Sequence, residues 1–199
     1  MMSRTQRLSI AQVLSDLGNP LIVFTLTFFF VALMEGYSAK DTFVFLLWAV
    51  ATVGVTITAT AMWVKFRKQL PNLDIVQRED RYIPYLGSII GYLLLILILR
   101  NRIWDYPMFH ALLMTMAFGV IVCGAINLVW KISFHGFAMG VFSAFVFHYN
   151  KLMGVVWLML GLAVGWSRVE KKVHTWGQVL AGLALGFSFA LLFIHLWGG

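Results

Sequence analysis

Charged side chains are scarce in this chain: Asp, Glu, Lys and Arg together make up 12% of its 199 residues, where an ordinary soluble domain carries about a quarter. The eight acidic residues restrict the chemistry further. Asp74, Glu79 and Asp80 form one weak cluster, too little for the paired Asp-rich motifs with which a prenyltransferase holds diphosphate through magnesium. The single cysteine, Cys123, has no partner for an internal disulfide. Polar stretches are too short to form a soluble domain, and the apolar segments lack the period-two alternation of a lipid-facing barrel strand. Arg4 and Arg7 precede a long first span with no small-residue cleavage site after it, so no removed signal peptide is expected.

What remains is hydrophobic, at 61% of the chain. Apolar runs long enough for a hydrocarbon core of roughly 30 Å stand at Pro20–Met34, Thr42–Val64, Ile83–Leu99 and Pro107–Trp130. From 134 to 166 the apolar character continues but is interrupted by His148, Tyr149, Asn150 and Lys151, a cluster costly in lipid, which predicts a tight helical hairpin. A last run covers about 173–197. The expected fold class is therefore all-α, a polytopic integral-membrane bundle of six to seven transmembrane helices forming one domain over 1–199, with residues 8–17 as an amphipathic interfacial helix. Phe, Trp and Met suit lipid-facing surfaces and packing gaps. "GLALG", residues 182–186, reads as helix packing within the bundle. His110, His148 and His195 have no cation within a turn and read as interfacial anchors or helix-helix hydrogen-bonding groups.

With seven spans, Arg4, Arg7, Lys65, Arg67, Lys68, Arg78, Arg81, Lys131, Arg168, Lys171 and Lys172 share one side of the membrane, eleven of the fifteen cations. Lys40, Arg100, Arg102 and Lys151 fall on the other. The positive-inside bias places the crowded side, with the N-terminus, in the cytoplasm, here of a cell inner membrane. The formal charge of +7 suits anionic lipid headgroups, and no nucleic-acid partner is expected.

Two clusters on that side carry chemistry. "GWSRVEKKVHTWGQVLAG", residues 165–182, sets Ser167, Arg168 and His174 in the spacing S-R-x5-H, followed by Gln178, Val179 and Gly182 on a new helix. "WKISFHGF", residues 130–137, puts Lys131, Ser133 and His135 at the start of another. Two helix N-termini, each with a histidine and a nearby cation, form an anion site in outline, because unpaired N–H groups and the helix dipole favour negative charge there. The cluster of Asp74, Arg78, Glu79, Asp80 and Arg81 supplies further cations, or else is a solvated loop held by its own ion pairs.

These residues resemble the type 2 phosphatidic acid phosphatase superfamily of integral-membrane lipid phosphatases and vanadium haloperoxidases. Its S-R-x5-H motif, with an acidic residue four after the histidine and a V-x-x-G tail, is similar to Ser167, Arg168, His174, Gln178, Val179 and Gly182. Its P-S-G-H motif is similar to Ile132, Ser133, Phe134 and His135, without the proline and glycine. Its K-x6-R-P motif is absent in that form; the nearest cations are Arg78 and Arg81, with Pro84 beyond, and Lys131. The resemblance covers residues 74–186. It implies that His174 attacks phosphorus, that His135 protonates the leaving alkoxide, and that Arg168, Ser167, Ser133, Lys131 and Arg78 or Arg81 hold the phosphate. Gln178 orients His174 without supplying a charge. No metal or cofactor is implied. The partners implied are a lipid phosphate or prenyl diphosphate and the membrane lipids themselves. The alternative is a non-catalytic lipid-phosphate-binding protein or transporter on the same scaffold.

Overall fold

The computed structural model describes residues 3–70, 75 and 77–198. Asp74 therefore lies outside the described residues. Among these, every regular element is helical: α1 Arg4–Leu17, α2 Pro20–Met34, α3 Ala39–Ala49, α4 Val55–Lys68, α5 Tyr82–Leu99, α6 Pro107–Val129, α7 Phe134–Tyr149, α8 Lys151–Glu170 and α9 Trp176–Trp197. A π-helical turn, Val50–Gly54, joins α3 to α4 into one continuous rod.

The chain marks its own helix ends. Ser3 and Gln6 form a capping box on α1, and Asn19 with Pro20 at the first helical position opens α2 directly after Gly18. Asn150 is the whole connection between α7 and α8: it ends one helix, and its side-chain oxygen accepts the Met153 N–H at 3.0 Å to start the next. The expected hairpin is there, and it closes tightly because Gly154 sits against the backbone of Phe147.

Among the described residues, five helical segments are long and apolar enough to cross a membrane: Ala39–Lys68, Glu79–Leu99, Pro107–Val129, Lys151–Glu170 and Trp176–Trp197. The pair α1 and α2, bent by 47° at Gly18–Asn19, makes a sixth if counted as one span. The outer surface carries large apolar side chains such as Leu33, 78% exposed, and Val129, 79% exposed, a distribution suited to hydrocarbon. The sequence also suggested a separate span at α7. Its 16 residues reach only roughly 24 Å at 1.5 Å per residue. It needs no match to bilayer thickness, since it is the central helix: α2, α8 and α9 pack around it, and most of its residues are buried.

The tightest seam is between α7 and α9. A methyl group on Gly182 would strike the Ser133 carbonyl oxygen, and one on Gly186 the Phe137 carbonyl oxygen. From the other side, Gly136 and Gly140 lie equally close to the Val179 and Leu183 carbonyl oxygens. The small residues at 182 and 186 thus serve packing inside the bundle, as the sequence suggests.

The helix ends sort onto two faces. At one, Arg7 pairs with Glu170 at 2.7 Å and Lys68 with Asp80 at 3.0 Å. At the other, the Tyr149 hydroxyl donates to Glu35 at 2.5 Å, Arg102 reaches Asp41 at 3.4 Å, and the His110 ring sits between Trp104 and Trp197. The segment read as an interfacial helix runs from Arg4 to Leu17 and packs along α8.

Replacing Gly186 by Val should destabilise the protein by about 1–3 kcal/mol or more through overpacking of the α7–α9 seam. Gly124→Ala, where the added carbon meets the Tyr85 ring at an ordinary 3.5 Å, should be close to neutral. Thermal unfolding of the two variants in detergent checks both expectations.

Candidate functional site

The S-R-x5-H spacing becomes a local structure at the end of α8. Lys172 takes a left-handed conformation, with φ of 58°. The Lys172 N–H bonds the Val169 carbonyl at 2.9 Å, and the Val173 N–H bonds the Arg168 carbonyl at 3.0 Å. This is the Schellman closure of a helix, with a lysine where glycine is usual. The His174 N–H then also reaches the Arg168 carbonyl at 3.2 Å. Five intervening residues thereby fold His174 back over the turn that carries Arg168.

Immediately afterwards Thr175 caps α9. Its hydroxyl accepts the Gln178 N–H at 3.4 Å, while Gln178 Oε1 accepts the Thr175 N–H at 3.2 Å. The same oxygen lies 2.9 Å from His174 Nδ1. A carboxamide oxygen can only accept, so the imidazole carries its proton on Nδ1 and Nε2 keeps its lone pair. The start of α7 is joined to this point through the Ser133 N–H, which donates to the Gln178 carbonyl at 3.1 Å.

Cations surround the ring. Arg168, 3% exposed, donates from Nη1 to the Ser15 hydroxyl of α1 at 2.5 Å. Arg81 donates from Nε to the Ile75 carbonyl at 2.8 Å and from Nη1 to the Ile132 carbonyl at 3.4 Å. The Lys131 ammonium donates to the Val173 carbonyl. His174 is 8% exposed. Its burial, followed by the field of Arg81 and then those of Lys131 and Arg168, pushes its pKa down to about 3, with the Gln178 hydrogen bond opposing. The ring is neutral at physiological pH.

A cavity of about 390 Å³ opens beside it, within the size range of small-molecule sites. Arg81, His135, Arg168 and His174 all line it. Gln178 and Lys131 touch His174 and its loop rather than the cavity. The other nominated residues are placed differently. The Ser133 hydroxyl caps α7 by accepting the Gly136 N–H at 3.2 Å, and the Ser167 hydroxyl donates to the Val164 carbonyl at 2.6 Å. Arg78 is held by Glu79 at 3.0 Å and by the Val129 carbonyl at 2.8 Å, which makes it part of a self-paired loop. Sequence reasoning missed the α1 wall, where Ser15 and Asp16 face the cavity. The Gly18-Asn19-Pro20 break, where the chain bends by 47° and α1 comes to pack on α8, was the available signal. Among the described residues no group of three or more His, Cys, Asp or Glu side chains is placed to hold a metal ion.

Comparisons with protein-family models, with characterised proteins and with solved structures find no match for this chain. The site therefore speaks through its chemistry. Clustered cations beside a neutral, oriented imidazole favour a bound anion next to a nucleophilic nitrogen.

The depressed pKa has a consequence for stability. The unfolded chain takes up a proton near pH 6.5, whereas folded His174 resists it down to about 3. Stability from the neutral ring is thus present above about pH 6.5 and lost as pH falls through that window. Unfolding midpoints measured from pH 7 to pH 4 should decline more steeply for the wild type than for His174→Gln.

Proposed function

We propose that the protein is a membrane-embedded phosphatase or phosphoryl transferase acting on a lipid phosphate or prenyl diphosphate, and a divergent relative of the type 2 phosphatidic acid phosphatases. The observation that carries this reading is the His174 ring, tied through Nδ1 to Gln178 and lying with Arg81 and Arg168 on one cavity. Nε2 attacks phosphorus, the bond to the leaving oxygen breaks, and His135 donates a proton to that oxygen. Water or another acceptor hydroxyl then attacks phosphorus, the phosphorus–Nε2 bond breaks to release neutral His174, and the acceptor's proton goes to His135. Arg81 and Arg168 stabilise charge on the equatorial oxygens. A bound phosphate dianion also opposes the cationic field on His174 and restores basicity to its ring.

Gln178 sets the rate in this scheme. Its carboxamide orients the imidazole but adds no charge to stabilise the ring cation formed when Nε2, with Nδ1 still protonated, bonds to phosphorus. That same feature favours a second reading, a non-catalytic lipid-phosphate-binding protein or transporter on this scaffold.

Phosphate release from phosphatidate, phosphatidylglycerophosphate and polyprenyl diphosphates by the detergent-purified protein separates the two. Release should persist in EDTA and vanish in His174→Ala and His135→Ala. Gln178→Glu keeps the helix cap and adds the missing charge, and should raise turnover. Retained turnover in His174→Ala rules out the phosphohistidine. Lipid affinity without release in any form identifies the binding protein.

We further propose that the cation-rich face looks into the cytoplasm from a cell inner membrane, on the eleven-to-four distribution of lysine and arginine. A cysteine at Lys171, on the helix-end turn beside His174, should be protected from an impermeant thiol reagent until the cells are lysed.

A further inference from the structure

We propose that the tail of the substrate is taken into a second, apolar cavity adjoining the cationic one, and that the site is built for a phosphate carried on a single hydrocarbon chain. This rests on reading the cationic cavity as a phosphate site. The second cavity, of about 130 Å³, shares Leu21, Phe24 and Ile57 with the first. Three helices run along both. On α5, Ser88 faces the cationic cavity while Tyr92, Leu95 and Leu99 face the apolar one. On α4 and the π turn, Thr58 and Ala61 lie on the first, and Val50, Val53 and Gly54 on the second. On α2 the passage runs from Pro20 to Phe28.

Polarity therefore falls in one direction, from the arginines to a lining that is almost wholly hydrocarbon. The 18 residues of α5, at 1.5 Å each, put the two ends roughly 27 Å apart. That sequence of surfaces, charged head first and apolar wall after, is complementary to an amphiphile lying along α5. Width selects the number of chains. The apolar cavity is close in size to an engineered cavity of about 150 Å³ that holds one benzene, room for roughly six carbons of one chain and none for a second chain beside them. The π turn of the α3–α4 rod, a distortion that interrupts regular packing, lies directly against α5 at Gly91 and forms a wall of the apolar cavity together with it. Entry is lateral. α2 packs on α3, α6 and α7, and α4 packs on α5, while α2 and α4 make no comparable contact across the two cavities they flank.

The test uses the full chain in detergent or vesicles. Gly54→Leu fills the apolar cavity at little backbone cost, because a carbon added there meets only the Val50 side chain at 3.6 Å. It should lower kcat/KM for farnesyl phosphate and lysophosphatidate by about tenfold or more, and leave butyl phosphate unchanged. In the wild type, at least one of the two single-chain probes should be turned over faster than phosphatidate. Preference for phosphatidate over both, or an equal loss for butyl and farnesyl phosphate in a Gly54→Leu protein that melts like the wild type, overturns the proposal. Photo-crosslinking does not depend on turnover. An alkyl phosphate with a diazirine at its chain end, bound to His174→Ala, should label residues lining the inner cavity, such as Val53, Leu95 or Leu113. Labelling confined to outward-facing residues such as Leu93 and Leu97 overturns it. Inner labelling without phosphate release from any probe would sink the phosphatase reading and leave the tail assignment standing; release with outer labelling would do the reverse.

Discussion

The close approach of α7 and α9 is the constraint on which the rest of the molecule depends. Glycines at 182 and 186 on one helix and at 136 and 140 on the other let the two backbones touch, which no larger residue permits. Because the contact begins at the first turn of both helices, it brings their N-terminal ends together. The Ser133 N–H bonds the Gln178 carbonyl there, and His135 and His174 come to line one cavity. The polar site is thus a by-product of apolar packing, and its geometry is as rigid as that packing.

The electrostatics run the other way. Two positive helix ends, Arg81, Lys131 and Arg168 are gathered at one place, and among the described residues Asp16 is the acidic side chain that lines the cavity. Burial of a charge is costly unless it is compensated. Carbonyls and a hydroxyl take part in holding these cations: Ile75 and Ile132 for Arg81, Val173 for Lys131 and Ser15 for Arg168. An anion entering the cavity would add negative charge beside them, so binding and folding stability should be coupled in this protein.

The all-helical class and the α7–α8 hairpin were legible in the sequence, because apolar run length and a polar interruption are local signals. The meeting of Arg168 with His174 was legible for the same reason: both sit on one turn, closed by Lys172. Tertiary placement was harder to read. Arg78 and Arg81 are equivalent in sequence, and both donate to carbonyls of the 129–132 segment, yet Arg78 is paired with Glu79 while Arg81 lines the cavity. Ser133 and Ser167 looked like phosphate donors because their neighbours did; the Ser167 O–H goes to the Val164 carbonyl, the Ser133 oxygen accepts the Gly136 N–H, and neither residue lines the cavity. The role of α1 was hidden because an amphipathic helix looks the same in sequence whether its apolar face meets lipid or another helix.

The contact between Arg168 and Ser15 joins residues 153 positions apart, and this gives the order of synthesis a meaning. A buried arginine entering a bilayer costs about 2.5–3.5 kcal/mol by insertion scales. The hydroxyl that receives it belongs to α1, made well before α8. The contact cannot form until the six intervening helices, α2 to α7, and α8 itself have been made. The wall that α1 gives the polar cavity is thus set late, with α9 still to follow among the described helices.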